Sequence, residues 1–292
     1  MLGNVRFATG QFAAARQHFE RAVELLSSGP SDYYGGYFAQ NSPNILVAIL
    51  IILGYPSTAL SRAEELLTVA RRSSDPNSIA VHLFSYGMHH ILLRDTRMVA
   101  ERANELLAIA IEHEMRVNLL AATFFRGWAT AATGRDEEGI GEMRRSVSDL
   151  MAAGIWASAL MLPALVETCG NHGHAKEGLD WVAKGLATAE QTGVRNAEPE
   201  LHRLKGELLM IKDPGNVAEA ERSLRTAINV ARRQDTKLFE LRATISLGCL
   251  LRDTNRRDEA RTMLAEIYNW FTEGFDTADL KDAKALLDEL SE

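Results

Sequence analysis

The sequence predicts an all-α protein built as a solenoid of about seven helix-turn-helix repeats. Apolar residues recur at helical spacing, and runs of alternating β-branched residues are absent. A turn residue followed five positions later by Ala or Gly also recurs along the chain. In the clearest copy, residues 241–264, two amphipathic segments flank a polar turn. One such hairpin cannot bury both of its apolar faces, so it predicts neighbours.

Small residues of successive copies are separated by 39 to 44 positions. This is a repeat of about 40 residues, somewhat longer than the ~34 of a tetratricopeptide (TPR) unit. We expect each small residue to let its two helices approach closely, and Gly248 to leave room for a neighbouring backbone. The pairs of turn and small residue are Gly10/Ala15, Gly54/Ala59, Asp95/Ala100, Gly134/Gly139, Gly173/Gly178, Gly215/Ala220 and Asn255/Ala260.

The composition agrees with a globular protein of this class. The chain has 292 residues, of which 46% are hydrophobic and 24% charged, and this length is too great for one compact core. A net charge of −7 argues against a general nucleic-acid binder. The longest apolar run, residues 45–53, is far shorter than the ~20 residues of a membrane span. No signal peptide is evident, and two cysteines without a CxxC partner favour a reducing cytoplasm.

The first repeat is predicted to be truncated. The Leu-Gly pair at 2–3 precedes Gly10 as the pair at 247–248 precedes Asn255. By this alignment the first helix lacks about six residues, as in a piece of a longer array. Its uncovered apolar faces predict a homo-oligomer formed through this end.

The predicted organisation is a TPR-like array over residues 1–275 followed by a C-terminal capping helix over residues 276–292. In this helix Asp276 is the expected N-cap, and leucines and alanines form one apolar side. Asp279 is expected on the opposite, solvent-facing side.

Several polar or aromatic groups along the chain admit two interpretations. The aromatic residues Tyr33, Tyr34, Tyr37 and Phe38 either line a ligand site or pack a long loop onto the solenoid. Asp75-Pro76 is predicted to start a helix.

Histidines occur in two groups. His82, Ser85 and His89 lie on one helix face, with His90 beside them. A metal site would need a third ligand and supporting residues that the sequence does not display, so a polar stripe is preferred and no metal is predicted. The turn at 172–174 contains the second group, which we expect to be exposed.

Catalytic motifs are absent from the sequence. The acidic residues 136–138 are explained by the start of a helix, where carboxylates are favoured, although a catalytic acid pair is the alternative. A G-x-S-x-G elbow and a metalloprotease H-E-x-x-H pattern do not occur. The sequence therefore predicts a protein that is not an enzyme and needs no cofactor.

Three segments resemble a known family: EHEMRVNLLAATFFRGWATAATGRDEEGI, AEPELHRLKGELLM, and residues 241–290. They are similar to the C-terminal TPR-like region of large bacterial multidomain proteins. In those proteins an adenylate/guanylate cyclase or DNA-binding domain precedes a STAND-type ATPase domain. The resemblance implies a right-handed superhelix that acts as a sensor or partner-binding arm of a signalling protein. A GxxxxGK[ST] phosphate loop is absent from this sequence, so ATPase activity is not implied.

Function is then expected on the concave face, which the first helix of each repeat lines. The leading hypothesis is a non-enzymatic protein-interaction or regulatory-sensor module, and the alternative is a receptor for a small molecule or peptide. A weaker alternative is nucleic-acid binding through residues 222–257, a segment that contains nine Arg or Lys and three Asp or Glu. Trp128 is either a binding anchor or packed between repeats. The candidate groove residues are Asn44, His82, Ser85, His89, Phe124, Trp128, Asn171, His202, Arg203, Arg242 and Arg252.

Overall fold

The computed structural model describes residues 2–28, 37–155 and 158–292. These residues form helices and no strand, which confirms the all-α class. The helices are α1 (Leu2–Ala8), α2 (Phe12–Ser28), α3 (Tyr37–Leu53), α4 (Pro56–Ser73), α5 (Pro76–Leu92), α6 (Thr96–Glu112), α7 (Arg116–Ala131), α8 (Asp136–Ala152), α9 (Ser158–Asn171), α10 (Ala175–Thr192), α11 (Glu198–Lys212), α12 (Val217–Arg233), α13 (Lys237–Asp253), α14 (Arg257–Tyr268) and α15 (Ala278–Glu289).

Neighbouring helices pack against each other in chain order, as expected for helical hairpins stacked into an array. The first helices of successive hairpins, α3, α5, α7, α9, α11 and α13, also contact one another in sequence. In addition α13 contacts α3, so these six inner helices form a closed ring. We call the space that they surround the lumen. A membrane-spanning helix is not found in the part of the chain that the structure describes.

Polar and aromatic contacts join the two halves of the chain where the ring closes. Glu273, which follows α14, accepts hydrogen bonds from the backbone and hydroxyl of Thr58 at 2.9 and 2.8 Å. Arg94 lies 2.7 Å from Asp282 on α15. At the other end of the array, the carbonyl of Ala8 accepts from the backbone N–H of Arg195 at 2.7 Å. Closure therefore involves both α1 and the segment after α14.

The turns follow the predicted pattern in five repeats, whereas Gly215 of the sixth lies in a turn without a positive φ angle and the third repeat needs a correction. Positive φ angles occur at Gly10, Gly54, Gly134, Gly173 and Asn255, where a left-handed residue ends one helix before the next begins. In the third repeat this residue is Arg94 (φ 59°) and not Asp95.

Asp95 instead caps α6, since its carboxylate accepts from the N–H of Met98 at 3.1 Å. The buried residue five positions after Arg94 is consequently Val99, whereas Ala100 is only half-buried. The prediction of Ala100 was wrong by one position because Asp suits a turn and a helix cap equally well.

Two predicted close approaches have different outcomes. A Cβ atom on Gly139 would clash with the carbonyl oxygen of Gly127, so α7 and α8 are in backbone contact. At Gly248 the nearest atom to such a Cβ would be a side-chain carbon of Leu286 on α15, at 3.2 Å. The space at Gly248 thus receives a side chain from α15 and not a neighbouring backbone.

Helix α15 packs against α13 and α14. Its N-cap is Thr277 and not the predicted Asp276. The prediction that Asp279 faces solvent was also wrong, because only 2% of this residue is exposed and its carboxylate pairs with Arg242. In α1, Gly3 and Phe7 are buried while Leu2 and Val5 are exposed, and association through this end stays a prediction.

Candidate ligand cavity in the lumen

A cavity of about 710 Å³ lies at the inner helices, and it is the candidate site. Residues of α1, α3, α5 and α7 line it together with residues on either side of the start of α9. Asn77, Val117 and Gly154 are exposed, whereas Ile45 and Leu92 are buried, so the cavity runs from the surface into the lumen. The lining residues are Phe7, Asn41, Asn44, Ile45, Ala48, Asp75, Asn77, Val81, Phe84, Ser85, Met88, His89, Leu92, Val117, Asn118, Gly154, Ile155 and Leu160.

Three predicted groove residues, Asn44, Ser85 and His89, are among the lining residues. They are brought together because α3 and α5 are adjacent inner helices and their facing sides carry these residues. The Ser85 hydroxyl donates to the carbonyl of Val81 at 3.0 Å, within its own helix. His82 is buried on α5 as well, with Nδ1 2.8 Å from the carbonyl of Ser78, but it does not line the cavity.

His89 is the most deeply buried polar side chain of this cavity wall, with 2% of the residue exposed. Its Nε2 lies 3.0 Å from the carbonyl oxygen of Asn44. A carbonyl can only accept, so Nε2 carries the hydrogen and Nδ1 presents a lone pair. Nδ1 has no hydrogen-bond partner among the described residues. Burial lowers the pKa of His89 to about 3, which keeps the ring neutral.

A second polar assembly occupies another part of the lumen, and we call it the ionic cluster. Arg203 on α11 pairs with Glu200 through two hydrogen bonds of 2.9 Å. Arg242 on α13 pairs with Asp279 in the same bidentate manner, at 2.9 and 2.8 Å. Arg242 also lies 3.3 Å from Glu200, which joins the two pairs. The cluster comprises Glu167, Glu200, Arg203, Glu207, Arg242 and Asp279.

The two buried carboxylates of the ionic cluster, Glu200 and Asp279, are held in the charged form. Burial acts to raise the pKa of Glu200, but Arg203 and Arg242 outweigh it and bring the pKa below its usual value. For Asp279 burial is likewise outweighed, by Arg242 and Arg94, so its pKa is also lowered. Both predicted groove arginines of the lumen are therefore committed to carboxylates of the same chain.

The other predicted groove residues lie outside both assemblies. Phe124 is fully buried and Trp128 is half-buried against the apolar core. Asn171 is exposed at the end of α9, and His202 is half-buried. Arg252 pairs with Asp253 at 2.8 Å and Glu289 at 2.9 Å. Whether any of the eleven residues contacts a partner stays a prediction.

Two further groups from the sequence have defined positions. Within residues 222–257, six of the nine basic side chains lie within salt-bridge distance of carboxylates. His172 and His174 lie 3.8 and 3.4 Å from Asp136 and Glu137. In the described part of the chain, no cluster of three or more His, Cys, Asp or Glu side chains could hold a metal.

Tyr33 and Tyr34, and the side chains of Tyr37 and Phe38, lie outside what the structure describes.

Most of the apolar cavity wall was missed by the sequence-based assignment. The residues of α5 that line the cavity follow the helical i, i+3, i+4 pattern: Asn77, Val81, Phe84, Ser85, Met88, His89 and Leu92. The assignment placed His82 on this face through the TPR register, whereas the structure places Val81 there. The helical spacing from Ser85 alone would have identified Val81, Met88 and Leu92.

Comparison with protein-family models and with curated proteins gives no match to this chain.

Proposed function

We propose that this chain is a non-enzymatic regulatory-sensor module that binds a small molecule or the end of a peptide in the lumen cavity. Binding there would change how the array engages a protein partner. We further propose that the helices form a right-handed TPR-like superhelix of about seven repeats. The sequence resembles the sensor arm of bacterial cyclase and STAND ATPase proteins, and we propose a comparable role for this chain. The proposed location is the cytoplasm.

Closure of the ring is the observation that supports a receptor over an extended peptide groove. An open solenoid presents a long concave surface, along which a peptide can lie. Here α13 contacts α3, so the inner helices face one another across a closed lumen. The space that remains beside Asn44, Ser85 and His89 is about 710 Å³, within the range of small-molecule sites.

Nucleic-acid binding receives less support. The arginines of residues 222–257 would have to exchange carboxylate partners for phosphates. Arg225 pairs with Glu221 and Glu259, and Arg256 pairs with the same two residues. Such pairing lowers the positive potential on which phosphate recognition depends.

A thermal-shift screen of metabolites and short peptides tests the proposed function. A ligand present at about 100 times its Kd stabilises the folded state by about 2.7 kcal/mol, enough to raise the melting temperature by several degrees. We expect hits on the wild-type protein that are lost in Ala48→Leu, because this substitution fills part of the cavity. If no compound raises the melting temperature at saturating concentration, or if every increase persists in Ala48→Leu, the proposed function is wrong.

A further inference from the structure

We propose that the lumen cavity selects an uncharged amphipathic molecule, with an apolar body and at least one hydrogen-bond donor. This inference rests on the proposed function and specifies the chemical class of its ligand. It follows from three properties of the wall: its charge, its apolar surface and its hydrogen-bonding groups.

The described wall offers no counter-charge to an anion. Lys and Arg are absent from the described lining residues. Arg242 of the ionic cluster is bidentate to Asp279, and Leu92 and Leu160 line both the cavity and the space beside this cluster. An anion that left water for this cavity would lose its hydration without gaining a partner of opposite charge.

The wall also offers little to a cation. Asp75 is the acidic residue among the described lining side chains. Its carboxylate accepts from the backbone N–H groups of Asn77 at 3.3 Å and Ser78 at 3.0 Å, where it caps α5. The negative charge is thus already directed at the positive end of a helix. Its interaction with a cationic ligand is weakened by this helix end.

The apolar part of the wall is continuous with the protein core. Ile45, Ala48, Met88 and Leu92 are buried residues of the main hydrophobic cluster, and Phe84 packs against it. Burial of an apolar ligand against such a surface contributes roughly 25 cal/mol for each Å² removed from water. A body of aliphatic or aromatic carbon is therefore favoured.

Apart from Asp75, the polar side chains of the described wall are neutral. Ser85 and Asn118 contribute a hydroxyl and an amide, and His89 is held neutral by its burial. The hydroxyl of Ser85 donates to Val81 and the side-chain N–H of Asn118 donates to the sulfur of Met115, so the oxygens of both side chains can accept a hydrogen bond. An O–H or N–H donor on the ligand satisfies such an acceptor. Together these groups define an uncharged ligand that donates a hydrogen bond.

Three fluorescent probes that differ in charge test this inference by titration of the full chain. N-phenylnaphthylamine is uncharged and has one N–H donor. Anilinonaphthalene sulfonate is the same molecule with an anionic group, and naphthylmethylammonium carries a positive charge. We expect the uncharged probe to bind at least about tenfold more tightly than either charged probe, which corresponds to ~1.4 kcal/mol.

Two alanine-to-leucine variants locate the probe. Ala48 lines the lumen cavity, whereas Ala159 lines a neighbouring apolar cavity of about 200 Å³ formed by residues of α8, α9, α10 and α11. We expect Ala48→Leu to weaken binding of N-phenylnaphthylamine by at least about tenfold and Ala159→Leu to leave it unchanged. Circular dichroism checks that both variants fold, and Ser85→Leu replaces Ala48→Leu if the latter does not.

Three outcomes overturn the inference: the sulfonate or ammonium probe binds as tightly as the uncharged one, only Ala159→Leu weakens binding, or none of the probes binds. Failure of the inference is distinguishable from failure of the proposed function. A charged metabolite whose thermal shift is lost in Ala48→Leu would leave the proposed function intact and exclude the uncharged class.

Discussion

The cavity and the ionic cluster are neighbouring parts of one lumen, with Leu92 and Leu160 lining the space beside each, yet their polar groups are satisfied differently. In the cluster, each of the two buried guanidinium groups is bidentate to a carboxylate. In the cavity wall, Nδ1 of His89 has no partner among the described residues. Both parts contain side chains of the kind expected in a binding groove.

This difference separates structural from recognition roles among similar residues. Arg203 and Arg242 join α11, α13 and α15 through groups of opposite charge. Breaking such a buried pair leaves an uncompensated charge, which is costly. Ser85 and His89 instead lie on a wall with space beside it. We infer that the cluster fixes α11, α13 and α15 relative to one another and that the cavity is where a ligand is recognised.

The largest effect is expected from Arg242→Met. This change leaves Asp279 and Glu200 buried without their shared partner, and it should lower the free energy of unfolding by about 3–5 kcal/mol. The matched control is Arg252→Met on the same helix. Arg252 is more exposed, so its pairs should contribute less than about 1 kcal/mol. Urea denaturation measures both values, and equal losses would contradict the distinction between buried and exposed pairs.

A smaller loss of stability is expected on acidification. The cavity and the ionic cluster should lose stability in different pH ranges. The pKa of His89 is about 3 in the folded protein and about 6.5 when unfolded. Between these pH values His89 binds a proton in the unfolded state and not in the folded state. The free energy of unfolding therefore decreases as the pH falls from 6.5 towards 3. At pH 5 the loss from His89 alone is on the order of 2 kcal/mol. The lowered pKa values of Glu200 and Asp279 act only below about pH 4.

Urea denaturation at pH 7 and pH 5 should therefore show a smaller loss of stability in His89→Gln than in the wild type. Burial also lowers the pKa of His82 and of His90, so part of the wild-type dependence will remain. The control is His113→Gln, because His113 is exposed at the end of α6. An unchanged pH dependence in His89→Gln would show that His89 is not held neutral by burial.

Much of the fold could be predicted because its hairpins are encoded locally. The turn at Gly134 and the contact of Gly127 with Gly139 both follow from residues close in sequence. Ring closure could not be predicted in this way. Small rotations between successive repeats accumulate along a solenoid, and no local pattern states that α13 will reach α3. The contact between these helices depends on this accumulated geometry.

Part of the candidate site was predictable because some of its residues are also close in sequence. Ser85 and His89 share a helical face, and counting back from the turns placed Asn44 on the same inner side. The pairing of Arg242 with Asp279 joins residues 37 positions apart. Asp279 lies on an amphipathic helix beside Leu280, and a charged residue in such a pattern is assigned to solvent. Only the folded structure shows that a buried arginine opposes it.

The smallest effects are expected from two serines that make the same local bond in the two parts of the lumen. Ser85 donates to the carbonyl of Val81 at 3.0 Å, and the hydroxyl of Ser246 lies 3.0 Å from the carbonyl of Arg242. Ser246 differs because its hydroxyl is also within hydrogen-bond distance of Glu207, a member of the ionic cluster. Loss of a bond to a charged group costs more than loss of a second bond to a helix carbonyl.

Ser246→Ala should therefore lower the free energy of unfolding by about 1–2 kcal/mol and leave the affinity for N-phenylnaphthylamine unchanged. Ser85→Ala should change the free energy of unfolding by less than about 0.5 kcal/mol and weaken the same probe by about threefold to tenfold. Urea denaturation and fluorescence titration of both variants measure the four values. If Ser85→Ala lowers stability while Ser246→Ala lowers affinity, the assignment of structure to the cluster and recognition to the cavity is reversed.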